Sequence, residues 1–295
     1  MSLVKSFYER RLISPPEFVA GSVQYEVLMG SHAFGTAGED SDNDVYGFCM
    51  PPLAELFAGS GCEAAGSGGA LQRFDHFKQL DVRVDDAYGR VRSHDFKIYS
   101  IVRFVQRCIE NNPNTIEMLF APEQNVLHLT PAGRLLRDHR RQFLHKGARY
   151  QFGGFARAQL DDLKAKRRQD GKRREYIQRF GYDLKAAYHV VRLMNEAEQI
   201  LAEGDLDLRR CSDQLLSIRA GKWKLAEVVD YFEHKDNQLE ALYQSSKLRA
   251  AADSNKIKEL LIACLEMHFG SLSSGKSEID EGASCHALSE LVLKS

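Results

Sequence analysis

The sequence is short of several features, and each shortage closes off a class of protein. No run of about 18 apolar residues occurs, so no membrane-spanning helix is expected. Residues 1–13 mix Lys5, Glu9, Arg10 and Arg11 with apolar side chains. They lack the unbroken apolar centre of a secretory signal, and a cytoplasmic location is expected. The six cysteines (Cys49, Cys62, Cys108, Cys211, Cys264 and Cys285) are scattered, with no Cys-x-x-Cys pair. They read as reduced thiols, neither a disulfide framework nor a zinc site. Excess charge is missing too: 40 Lys and Arg against 41 Asp and Glu leave a formal net charge of −1, so any contact with nucleic acid needs a local patch. What remains is a chain of 295 residues, 43% hydrophobic and 27% charged, enough to bury a large core in one or two domains.

The pattern changes along the chain. Residues 1–11 read as a short helix, and 23–29, 44–50, 80–84 and 95–98 as strands, the second stopped by Pro51-Pro52. Residues 53–57 form a helical turn, and 59–70, with five glycines and two serines, read as a flexible loop. From Ser100 the apolar period becomes 3.6: Ile101, Phe104, Val105, Cys108 and Ile109 make one stripe, ended by Asn111-Asn112-Pro113-Asn114. Residues 115–120 begin another short helix. Thr130-Pro131 is a helix start, and helices are expected over 153–169, 174–203, 212–221, 225–248 and 254–269. The expected architecture is α+β: a small N-terminal sheet with helices over 1–125, a helical part over 126–270 and a polar tail over 271–295.

Chemistry concentrates in Gly30-Ser31-His32-Ala33-Phe34-Gly35-Thr36 and the following Ser41-Asp42-Asn43-Asp44. An apolar run enters a Gly-Ser turn, and a short loop then delivers Asp42 and Asp44. At i and i+2 of an extended segment, both carboxylates face one side. Two unit charges about 4 Å apart repel by roughly 4 kcal/mol at a surface-like dielectric, so the pair calls for a cation between them. Magnesium favours carboxylate oxygen and keeps waters and substrate phosphates as its other ligands. Gly30 and Ser31 offer backbone donors to those phosphates. Farther on, Tyr182, Lys185, His189 and Arg192 fall on one helical face, and such a cationic stripe needs an anionic partner to be buried.

The spacing of Gly-Ser and Ser-Asp-x-Asp resembles the polymerase-β-like nucleotidyltransferase superfamily. Asn112-Pro113-Asn114-Thr115-Ile116-Glu117 and Lys185-x-x-x-His189-x-x-Arg192 are similar to the nucleotidyltransferases encoded beside RNA ligases in RNA-repair gene clusters. The resemblance runs in order over 23–249. It implies transfer of an NMP unit from an NTP to an acceptor hydroxyl with release of pyrophosphate, assisted by Mg²⁺ or Mn²⁺. It also implies a third metal-holding carboxylate on a neighbouring strand. Asp95 fits that place, with Asp81, Asp85 and Asp86 as rivals. Catalytic and metal-holding roles therefore fall to Asp42, Asp44 and Asp95, with Asp95 taking the acceptor's proton. Nucleotide contacts fall to Gly30, Ser31, His32, Lys185, His189 and Arg192, on a helix that closes over the nucleotide. His32 departs from the pattern, since many relatives carry Arg there.

Plainer readings stand beside these. Ser-Asp-Asn-Asp is ordinary turn chemistry, 112–114 serves as a helix stop, and Glu117 as a cap partner. Lys185 and Arg192 can snorkel at a surface, and His189 can be a satisfied, half-buried ring. Residues 164–174 carry seven Lys and Arg with one Asp, a candidate contact for an RNA backbone or a solvated helix end; 134–149 is a second basic stretch. An RNA end is the leading acceptor. The alternatives are protein nucleotidylation and an inactive nucleotide-binding module that regulates a partner.

Overall fold

The computed structural model describes residues 1–39, 41–57, 73–85, 89–165 and 172–270, with the side chains of 172 and 173 excepted. The glycine-rich stretch 59–70, the rival Asp86, two of the cysteines and the tail 271–295 lie outside the described residues. So does the centre of the basic run 164–174. The chain opens with α1 (Leu3–Glu9), whose first turn is capped by the Ser2 hydroxyl. A Pro-Pro step leads into the short α2 (Glu17–Ser22), which no periodic pattern announced. Then come β1 (Val23–Leu28), β2 (Asn43–Cys49), α3 (Leu53–Phe57), β3 (His76–Asp85) and β4 (Val91–Ser100). Ser100 ends β4 and at once caps α4 (Ile101–Ile109), its hydroxyl accepting from the Arg103 N–H. After α5 (Pro113–Phe120) the chain returns to the sheet as β5 (Val126–Leu129).

The sheet runs in the order β3-β4-β2-β1-β5. β2 and β4 pair in parallel and the other neighbours pair antiparallel. β5 extends the sheet past residue 125, where a helical part had been expected to begin. At four residues it is too short for its alternation to be distinguished from a loop. Alternation sends Tyr25, Val27, Phe48 and Tyr99 into one core, against α4 and the later helices. It sends Val45, Cys49, Phe96 and Ile98 into a second core with Val4, Phe7 and Val19. Four described cysteines are free thiols, as expected. Among the described residues no helix is long and apolar enough to cross a membrane.

The helical part comprises α6 (Pro131–Asp138), α7 (Ala148–Lys164), α8 (Lys172–Phe180), α9 (Leu184–Glu203), α10 (Ser212–Arg219), α11 (Leu225–Ser245) and α12 (Ser254–Phe269). The single helix expected over 174–203 is two. Gly181 takes φ +84° after α8. The Asp183 carboxylate then accepts from the Lys185 and Ala186 N–H groups at 2.9 and 3.2 Å, starting α9 afresh. Tyr182 therefore precedes α9 and donates its hydroxyl to the Trp223 carbonyl, away from the stripe expected for it.

One buried carboxylate ties α1 to the sheet. Glu26, on the face of β1 opposite Tyr25, accepts from the Leu3 and Val4 N–H groups at 2.6 and 2.9 Å. It thus satisfies the first donors of the helix. Burial raises its pKa, while those two donors pull it down. Glu26→Ala should lower unfolding free energy by about 1–3 kcal/mol and speed amide exchange over residues 3–9. Urea melts with an unchanged slope and hydrogen-exchange mass spectrometry would check this; unchanged exchange in α1 would contradict it.

Candidate active site

The Gly-Ser turn and Asp44 are built against each other. The Met29 N–H donates to the Asp44 carbonyl at 2.7 Å, closing the end of β1 onto β2. Gly30 follows with φ +59°, and a Cβ there would lie 1.9 Å from Asp44 Oδ2. Only glycine meets both conditions, so the turn backbone touches the carboxylate directly. Residues 30–32 form a tight helical turn, whose leading N–H groups have no acceptor inside it. Gly30, Ser31, Asp42 and Asp44 all line one cleft of about 840 Å³.

Asp44 and Asp95 are direct partners on the parallel strands β2 and β4. Burial first, and the Asp95 charge second, raise the Asp44 pKa to about 6, against a hydrogen bond from the Tyr46 hydroxyl and the charge of Lys185. Asp42 is exposed just before β2 and adds the smallest of these effects. A bulge in β3 between Gln79 and Val82 turns the Asp81 N–H onto Asp95 Oδ1 at 2.8 Å. The Asp81 carboxylate itself points away, accepting from Arg83 at 2.9 and 3.0 Å and from the Ser93 hydroxyl at 3.1 Å. Asp85 ends β3 opposite Val91. Of the described rivals, Asp95 alone stands beside Asp44. It does not line the cleft, and lies on the far side of Asp44 from it.

α9 forms the opposite wall. Lys185, Tyr188, His189 and Arg192 all line the cleft. Tyr188, which the stripe left out, bridges back to the turn, its hydroxyl 3.1 Å from Thr36 Oγ1. Lys185 is exposed at the mouth. Arg192 differs: it is only 8% exposed, stacks 4.4 Å over the Phe34 ring and donates to Glu117 at 2.7 Å. Its anionic partner is thus a protein carboxylate. Glu196, 2% exposed, lies in the same cluster. Burial and the Glu117 charge push its pKa well up, with Arg192 opposing. His32 does not line the cleft. Among the described residues its buried Nε2 has no hydrogen-bond partner. Burial, then Arg92, lowers its pKa.

The loop after the turn is gripped from the helical part. Arg209 donates to the His32 carbonyl at 3.2 Å and to Asn125 at 3.1 Å. The Ser212 hydroxyl donates to the Phe34 carbonyl at 2.7 Å, and Arg219 to the Thr36 carbonyl at 2.5 Å. No local motif marks these three residues, because the loop carbonyls they hold lie more than 170 positions earlier in the chain.

Among the described residues no set of three or more His, Cys, Asp or Glu side chains is gathered around one point. The donor set nevertheless fits a hard divalent cation. Asp42 and Asp44 share the cleft wall, and the half-buried Asp44 is held beside a second carboxylate whose charge raises its proton affinity. Mg²⁺ requires only one or two carboxylates when phosphates and waters complete its shell. The second basic stretch is largely spent inside the molecule. Arg137 donates to the Tyr25 hydroxyl and the Ala121 carbonyl, Arg141 pairs with Asp205, and Arg149 pairs with Asp236.

The sequence model of one family, RlaP, described as the RNA repair pathway DNA polymerase beta family, matches residues 13–263. No curated protein matches the chain. Among solved structures, a nucleotidyltransferase-like protein from Exiguobacterium sibiricum is similar at 12% identity, over 90% of this chain and 79% of that one, with a TM-score of 0.28.

The Glu117–Arg192–Glu196 cluster sets a pH dependence of stability. An unfolded Glu196 loses its proton near 4.5, whereas the native one keeps it to higher pH. The unfolded state then binds fewer protons, so stability falls as pH rises above about 4.5. Glu196→Gln removes that fall. Relative to the unsubstituted protein, its melting temperature should rise as pH increases above 4.5; a difference independent of pH would contradict a raised proton affinity at the buried Glu196.

Proposed function

The chain belongs to the RNA repair pathway DNA polymerase beta family, and from that premise we propose that it is a metal-dependent nucleotidyltransferase. It moves an NMP unit from an NTP to an acceptor hydroxyl, with an RNA end as the acceptor. The observation that carries this reading is the Asp44–Asp95 pair, in register on parallel strands, with the Gly30 backbone against Asp44. The turn N–H groups and Ser31 hold the triphosphate from one side of the cleft, and Lys185 holds it from the other. His189 lines the same wall, within reach of the phosphates or the sugar. Asp42, Asp44 and Asp95 would hold Mg²⁺ or Mn²⁺, which when bound supplies positive charge to the phosphate oxygens.

Asp95 faces the acceptor side. The acceptor hydroxyl oxygen bonds to the α-phosphorus as the bond from that phosphorus to the oxygen bridging to the β-phosphate breaks. Pyrophosphate leaves, and the hydroxyl proton passes to the Asp95 carboxylate. Arg192 acts through its neighbours: held by Glu117, it supports Phe34 and the inner end of the cleft. Its assignment here is to position, with direct nucleotide contact left to Lys185 and His189. The intact carboxylates favour an active enzyme over an inactive regulatory module.

Labelled NTPs with Mg²⁺ or Mn²⁺, incubated with RNA, with protein or alone, test the reading. Pyrophosphate release and label on RNA are expected. Asp44→Asn should cut the rate by at least about a hundredfold. It should not lower thermal stability, because it relieves a buried repulsion. No pyrophosphate under any condition, or full activity in Asp44→Asn, would overturn the proposal.

A further inference from the structure

The sheet face that carries Asp44 and Asp95 continues past the cleft, and there it changes sign. In the parallel register of β2 and β4, Asp44 faces Asp95, Tyr46 faces Lys97, and Phe48 faces Tyr99. In the antiparallel register of β3 and β4, Lys78 faces Lys97 and His76 faces Tyr99. Side chains two apart share a face, so Lys97 and Lys78 form the next rung beside the carboxylates, about 7 Å along the strands. Neither lysine lines the nucleotide cleft. Tyr46, which faces Lys97, does line it, so the lysine rung borders the cleft one step along the strands from the carboxylates.

The rung is electrostatically unfavourable as it stands. Like charges directly opposite on neighbouring strands destabilise a sheet. Lys78 is exposed, and Lys97 is half-buried with its Nζ 4.9 Å over the Tyr99 ring. Among the described residues neither lysine has a carboxylate partner, and the nearby Asp75 is taken by Arg73 and Arg103 at 3.6 and 3.9 Å. His76, at the end of the row, has its pKa lowered by burial and then by Lys97; Asp75 opposes, ahead of the smaller effects of Lys78 and Arg103.

We propose that Lys78 and Lys97 form a phosphate-binding subsite that seats the backbone of a single-stranded RNA acceptor beside Asp95. The subsite rests on the nucleotidyltransferase reading for its purpose, while its affinity for RNA is measurable without any turnover. Contacts of this kind position a strand and carry no base specificity, so the acceptor end is placed without regard to its sequence. Lys78 is exposed, and the negative charge that the described residues do not bring to the rung is what an anionic ligand supplies.

The test uses the full chain and a fluorescent single-stranded oligoribonucleotide of roughly ten nucleotides, followed by anisotropy across a salt series. In parallel, a fluorescent ATP analogue reports the cleft. The double variant Lys78→Ala/Lys97→Ala should bind the oligonucleotide at least about tenfold more weakly. Its log affinity against log salt should be shallower by about 1.4, because each phosphate neutralised by a lysine adds roughly 0.7 to the slope. Lys78→Arg/Lys97→Arg should restore binding, and ATP-analogue affinity should stay the same in both. Equal oligonucleotide affinity and salt slope in the alanine variant, or no oligonucleotide binding by the unsubstituted protein at low salt, would overturn the subsite. Label transferred to protein and unaffected by either lysine would overturn it in favour of a polypeptide acceptor. Failure of the unsubstituted protein to bind the ATP analogue would instead refute the cleft assignment, leaving the oligonucleotide result to judge the lysines.

Discussion

Asp44 and Asp95 are held side by side by the backbone, whatever their charges prefer. At strand spacing of about 5 Å, two carboxylates repel by roughly 3 kcal/mol at a surface-like dielectric. The sheet imposes that spacing because β2 and β4 are hydrogen-bonded in parallel over 43–49 and 94–100. Phe48, Phe96 and Ile98 anchor the same strands in the two cores. Packing therefore outweighs the repulsion, and the raised proton affinity of Asp44 records what the arrangement costs. The remainder of the site is arranged around that constraint. Gly30 lets the turn approach the carboxylate, Tyr46 donates to it, and Lys185 offsets its charge from across the cleft.

The helical part completes this centre and gives it rigidity. α9 presents Lys185 and His189 to the cleft, while Tyr188 and Arg192 reach the loop that carries the turn. Arg209, Ser212 and Arg219 hold three carbonyls of the same loop, Arg219 while lining the cleft itself. A phosphate-binding turn depends on the direction of its N–H groups, and side-chain donors on the neighbouring carbonyls fix that direction at little entropic cost to the ligand. Sheet and helices thus share one loop, so the cleft is also where the two parts meet.

Much of this is legible in the sequence because it is local. The Gly-Ser turn, Asp42 and Asp44 at i and i+2, and Lys185 with His189 one helical turn apart each follow from short-range geometry. Long-range pairing is beyond that reasoning. Arg192 reads as a nucleotide contact because its carboxylate partner, Glu117, lies 75 positions away. Tyr182 reads as part of the helix only while Gly181 and Asp183 are taken as helix interior. A glycine followed by a capping aspartate is the signal that separates α8 from α9. His32 follows Ser31 in the turn, yet its ring lies on the Arg92 side and outside the cleft. The lysine rung carries no motif at all. It exists only once β3 and β4 are in register, and register is set by the bulge at Leu80-Asp81 and the buried alternation of Phe77, Val82, Phe96 and Ile98.

The claim that everything else rests on is that the Asp44–Asp95 pair is a cation centre beside a bound triphosphate. Electron paramagnetic resonance of Mn²⁺, titrated into the full chain with a non-hydrolysable NTP, measures this without turnover. The account predicts that the unsubstituted protein sequesters Mn²⁺ and that Asp44→Asn leaves the free-ion signal almost unchanged from protein-free solution, with the fold intact by circular dichroism. Equal Mn²⁺ sequestration by the two proteins would contradict it.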